Sequence, residues 1–439
     1  MKTVVNFLFL FQFLLLFTSC GTREFLGFEE KKIKLPGKRV SILKEGSKEA
    51  IPEVSQTKVE LEELISKNNW MQTYNSPTHE SLNFKSNTNF SKIKIVTTGA
   101  GESSRNKILS QPVIYNDNIY FIDADSNIIS YSLINKKTNW KKNITLKGDK
   151  GHSIGGGLAV YKNKLLVNSP YGEIICLSLE NGNEIWLKDI DIPIRSSPTI
   201  FDNKVFSLTL SNKLMAIDID EGTVLWEHQG IFNNTTLLNS PKVAVDDNIV
   251  IAAYSNGDYF GLNSINGKQI WRNTFIDIEI KETTNSFTDI DAIPVIKENF
   301  VILASAIGKV TLINKKTGSR VWTREFYSSH TPAVNGNSVF LINNNKEIFC
   351  LDLISGGTRW SMQIDEKLSG NNFDIWYSPI LINNKLMIVG GDKKILIIDP
   401  YLGSIEKIKT LSDLPSSSPF VVKEKLYLML KNGDIVRVE

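Results

Sequence analysis

Cysteine and histidine are scarce in this 439-residue chain, with three of the first and four of the second. So few thiols exclude a disulfide-knit scaffold. No two cysteines are adjacent, and His79, His152, His228 and His330 fall one to a distant segment, which leaves no zinc spacing. No run of Asp, Glu and Asn has the spacing of a calcium loop either. Net charge is also small: 50 Lys and Arg stand against 47 Asp and Glu. The basic residues are scattered through turns, so the footprint of a nucleic-acid partner is missing. Beyond residue 17 no apolar run has the length of a membrane-crossing helix. What the chain does have is 41% hydrophobic and 10% aromatic residues, enough for an ample core.

That apolar content is periodic. From residue 109 onward one pattern occurs eight times, opening at Ser110-Gln111-Pro112, Gly156-Gly157-Leu158, Ser197-Pro198, Ser240-Pro241, Ile293-Pro294, Thr331-Pro332, Ser378-Pro379 and Ser418-Pro419. Each opening leads into two alternating apolar runs, a Gly or Asn turn and a third run. Six copies end on a tryptophan: Trp140, Trp186, Trp226, Trp271, Trp322 and Trp360. The Trp spacings of 46, 40, 45, 51 and 38 residues suit one four-stranded propeller blade per copy. The expected fold is all-β, an eight-bladed propeller of antiparallel blades.

The third copy shows the reading in detail. Pro198–Phe201 is a short inner strand, Val205–Leu208 a second, Leu214–Ile217 a third and Val224–Trp226 the outer one. Both faces of these strands are apolar because neighbouring blades cover them, and each Trp is expected to pack between blades. The eighth copy ends at Glu439 with three strands, and Ile93–Val96 is the segment expected to supply its fourth, leaving no open edge. The seventh copy has Gly403-Ser404-Ile405-Glu406 where others have Gly and then Trp, so its blade should be the loosest. Cys176 and Cys350 occupy equivalent third strands of distant blades, too far apart for a disulfide, and are expected as buried free thiols.

The first residues address the chain. Met1-Lys2-Thr3 is a short basic region, and Val4 to Phe17 is apolar but short for a span. Phe17-Thr18-Ser19-Cys20-Gly21 then resembles a bacterial lipobox, which makes residues 1–19 a lipoprotein signal peptide and Cys20 the lipidation site. An ordinary secretory signal with an incidental Cys20 is the alternative. Lipid on Cys20 would hold the chain to the periplasmic face of the outer membrane, since several acyl chains anchor stably and Gly21 stands where Asp would favour the inner membrane. Residues 20–90 are irregular and polar and read as a tether, with the propeller over 91–439.

The lipobox, the segment Leu35-Pro36-Gly37-Lys38-Arg39-Val40-Ser41-Ile42-Leu43, Trp70-Met71-Gln72 and the eight repeats together resemble the BamB family of outer-membrane assembly lipoproteins. The resemblance implies a non-catalytic scaffold without cofactor or metal. Its implied partners are the POTRA domains of the BamA insertase and other subunits of the assembly machinery (the BAM complex); a binder of unfolded barrel substrates in transit is a further reading of the same fold. Family members bind through loops of one face, and the family's Asp-x-Asp-x-x-Pro loop matches Asp289-Ile290-Asp291-Ala292-Ile293-Pro294. That similarity implies partner contact by Asp289 and Asp291, since charge-assisted bonds are strong polar contacts; ordering a β turn is their other role. A second family loop carries Leu and Arg, but Phe232–Leu238 here lacks the Arg. Two rival readings share the fold: an adaptor for another envelope complex, and a relative of the quinone-dependent dehydrogenases, which are built from the same repeat.

Overall fold

The computed structural model describes residues 54–146, 154–231, 242–275, 290, 292–305, 308–369 and 375–439. They form eight sheets, each with four consecutive antiparallel strands except where the chain ends meet. The innermost strands are Val113–Tyr115, Gly157–Tyr161, Thr199–Phe201, Ala244–Asp246, Val295–Lys297, Ala333–Asn335, Ile380–Ile382 and Phe420–Val422. We number the blades one to eight in that order. The middle strands are buried on both faces, whereas outer strands such as Glu184–Asp189 are largely exposed. Accordingly the apolar clusters lie between blades; one joins Val160 and Leu165 of blade two to Tyr120 and Ile128 of blade one.

The ring closes as the sequence leads one to expect. Ile93–Thr98 pairs antiparallel with Asp434–Val438 and becomes the outer strand of blade eight. Cys176 and Cys350 are buried free thiols, and burial pushes them up to about 11 and about 12.

Each Trp docks on the following blade. Trp226 Nε1 donates to the carbonyl of Ser264 at 3.1 Å, and Trp322 Nε1 to Leu353 at 2.9 Å; the other four make the equivalent bond. In blade seven Lys407 pairs with Ile397 at the register position of the Trp. Its ammonium donates to the Asn89 carbonyl at 2.7 Å and lies 5.3 Å from the centre of the Phe90 ring. A cation over an aromatic face thus replaces the indole at that seam.

Residues 54–90, expected above as tether, are packed on the ring instead. Trp70 is 1% exposed, His79 and Phe84 2% each. The physical reason lies in the innermost strands, whose edges carry backbone groups that need partners. The segment satisfies them blade by blade. Lys67 accepts from Lys423 N in blade eight, and Trp70 exchanges bonds with Ile114 in blade one. Met71 accepts from Val160 N, and the Gln72 side chain bonds both backbone groups of Ile200. Pro77 accepts from Val245 N, Thr78 from Ile296 N, and Ser81 N donates to Val334. Asn83–Phe84 then pairs in parallel with Leu381–Ile382, and Asn87 N reaches Glu424 in blade eight again. Between Lys67 and Asn87 the strap completes one circuit.

Candidate functional site

The strap needs sharp bends to make its circuit, and it takes them at non-glycine residues. Tyr74, Asn75 and His79 have φ of 55°, 57° and 58°. Asparagine tolerates this region well, and the Asn75 side chain holds the bend, accepting from Met71 N at 3.0 Å and donating to the Asn69 carbonyl at 3.0 Å. Lys297 of blade five is clasped by Glu62 and Glu80 of the strap. The bend at Tyr74 brings its ring to the ring axis.

There it helps to line a cavity of about 480 Å³. The walls come from residues just before the innermost strands, among them Gln111, Arg195, Lys242, Ile293, Thr331, Ser378 and Ser418, with Lys346 and Trp376 beside them. Gln111 is fixed by its neighbours, accepting from Trp70 Nε1 at 3.0 Å and donating to Ser418 O at 2.9 Å. Burial lowers the Lys242 ammonium to about 8. Burial, then the charge of Lys242, then opposed by a bond to the Pro294 carbonyl, lowers His79 to about 3. His330 falls to about 4 by burial, and the Tyr377 phenol is raised for the same reason. Both imidazoles are therefore neutral at pH 7. Among the described residues no cluster of three His, Cys, Asp or Glu could hold a metal, and no helix is long and apolar enough to cross a membrane.

Cys20, Asp289 and Asp291 lie outside the described residues, as does the Phe232–Leu238 loop. Next to the two aspartates, Ile290 is 0% exposed, Ala292 is 1% exposed and Ile293 lines the cavity. The sequence reading missed both the strap and the cationic cavity. Trp70, Tyr74 and Phe84 were the available signal, aromatic residues in a segment otherwise polar.

Residues 137–362 match the family model described as outer membrane protein assembly factor BamB, about half of the chain. The protein of that name from Shewanella oneidensis is 23% identical over 335 residues, covering 74% of this chain and 83% of the relative. The crystal structure of BamB from Moraxella catarrhalis superposes with a TM-score of 0.66 at 17% identity, covering 79% of this chain and 99% of that one. The quinohemoprotein alcohol dehydrogenase of Comamonas testosteroni shares the fold, with a TM-score of 0.64 at 11% identity over 84% of this chain and 80% of its own. The chain belongs to the family of outer membrane protein assembly factor BamB.

Proposed function

We propose that this chain is a non-catalytic scaffold of the machinery that inserts β-barrel proteins into the outer membrane. The observation that carries the reading is the family match across the blades. In this reading acylated Cys20 anchors the chain at the periplasmic face, which raises its local concentration near the insertase. The strap covers the free edges of the innermost strands, and in this reading partner contact belongs to the loops that precede those strands. Asp289 and Asp291 precede the innermost strand of blade five in the sequence and are the proposed contacts for basic side chains of the BamA POTRA domains.

The dehydrogenase fold is shared, but the axial cavity argues for a different use. Its lining among the described residues contains Arg195, Lys242 and Lys346 and no carboxylate to hold calcium. An adaptor for another envelope complex is the alternative that the fold leaves open.

The test is affinity purification from solubilised envelopes, comparing the native chain with the Asp289→Ala/Asp291→Ala double variant. The insertase should co-elute with the native chain and be lost from the variant. Recovery with both would discard the two aspartates as the site, and absence from both would favour the adaptor. Cys20→Ala in the same preparation should leave a folded chain in the soluble fraction.

A further inference from the structure

The tryptophan seams share one design, and it shows what the seam between blades eight and one lacks. Between blades three and four, Trp226 faces Ala216 across the outer pair of strands, and its ring centre lies 5.9 Å from that of Phe206. Its indole donates to the Ser264 carbonyl and rests on Gly267 of blade four. The same register in blade eight puts Lys94 opposite Arg437 and Arg437 opposite Tyr427, where blade three has Trp226, Ala216 and Phe206. On blade one the counterparts of Ser264 and Gly267 are Leu133 and Lys136. Their amides bond to Asp117 and Ser132 as those of Ser264 and Gly267 bond to Asn248 and Asn263. Lys136 keeps the left-handed backbone of the glycine, with a φ of 53° against 69°.

Lys94, Tyr427, Arg437, Leu133 and Lys136 all line one groove of about 330 Å³. Five basic side chains line it against the single carboxylate of Asp117, which Lys423 engages at 2.7 Å. Glu439 pairs with Lys94 and Arg437, and among the described residues Lys136 and Lys425 have no ion pair. Blade seven shows how this chain completes a seam that has lost its tryptophan. There Lys407 holds the tryptophan register, and the strap brings Phe90 against its ammonium. Among the described residues no aromatic face meets the Lys94 ammonium in that way.

We propose that the groove between blades eight and one is a docking site for an aromatic side chain of a partner protein, carried in an acidic segment. The ring lies against Tyr427 and the ammonium groups of Lys94 and Lys136. A tryptophan adds a bond to the Leu133 carbonyl, and its acidic neighbours meet Lys136 and Lys425. The site uses none of the loops assigned to the insertase above.

The experiment is fluorescence anisotropy of a labelled, end-blocked peptide, Asp-Glu-Trp-Glu-Asp, titrated with the whole chain. The peptide should bind saturably, and Ala in place of its Trp should weaken binding at least about tenfold, the scale of a buried aromatic anchor. Lys136→Glu should weaken the Trp peptide on the order of fivefold, because an attraction becomes a repulsion. Lys316→Gln, at an exposed turn of blade five, should leave binding unchanged. The double variant Lys94→Trp/Lys136→Gly rebuilds the tryptophan and glycine of the other seams. It should fill the groove, abolish binding and melt at or above the temperature of the native chain. Lys136→Glu alters only an exposed turn and carries the test if the double variant does not fold. Four outcomes would overturn the proposal: no saturable binding, equal binding of the Trp and Ala peptides, native affinity in both groove variants, or a folded double variant less stable than the native chain.

Discussion

A buried histidine of the strap gives this fold a dependence on pH. His79 is 2% exposed, its Nδ1 lies 3.2 Å from the Pro294 carbonyl, and it is held neutral down to about 3. In the unfolded chain an imidazole takes up its proton near 6.5. Between those values the unfolded state binds the extra proton, so stability rises with pH across the window and is lost as pH falls from about 6.5 toward 3. For His79 alone the loss from pH 7 to pH 5 is about 2 kcal/mol. His330, lowered to about 4, adds in the same direction. Urea denaturation at the two pH values should therefore show a smaller loss for His79→Gln than for the native chain, by about 2 kcal/mol. Equal losses would mean that His79 is solvated in the folded state.

Between blades the unit of adhesion is a tryptophan and a glycine. Gly267 has a φ of 69° and sits on the Trp226 ring, where an added methyl would approach to 2.6 Å. Gly267→Ala thus meets both a left-handed backbone and a ring that is itself hydrogen-bonded to Ser264. The expected cost is about 1–3 kcal/mol, read from the midpoint of chemical denaturation. Trp226→Ala should cost about 3–5 kcal/mol, because the ring fills the seam between blades three and four. An equal and small loss in both would show that the seam collapses around the change.

This element was legible because its parts recur at fixed spacing: the Gly and Trp of each copy, and the unmatched strand before the first blade. Blade seven was legible only in part. The sequence shows that Trp is missing there, but not that Lys407 meets Asn89 and Phe90, which lie 318 and 317 residues away. The cavity was hidden for the same reason: Arg195, Lys242 and Lys346 come from different blades and meet only when the ring closes. Asp289 and Asp291 rest on the resemblance alone.

At the scale of the whole molecule the strap is the device that the repeat does not encode. Its course is set by backbone bonds to one blade after another, which carry no side-chain pattern, and its polar composition reads as linker. Yet a single chain segment bonded in turn to all eight blades links sites that are otherwise joined only through their neighbours. Trp70 is its deepest anchor, with ring centres 5.3 Å from Phe84 and 6.0 Å from Phe420. If the strap behaves as one cooperative unit, loosening it at Trp70 releases it everywhere. The amides of Ile114, Val160, Val245 and Ile296 all donate to strap carbonyls and report on four blades. In Trp70→Ala, hydrogen exchange should accelerate at all four together, by at least about a hundredfold given the 3–5 kcal/mol scale of such truncations. Amides within the middle strands, such as Phe206, should stay ahead of them in protection. Acceleration confined to Ile114 and Val160 would instead make the strap a row of independent contacts, and the eight blades would then owe their closure to Asp434–Val438 and Ile93–Thr98 alone.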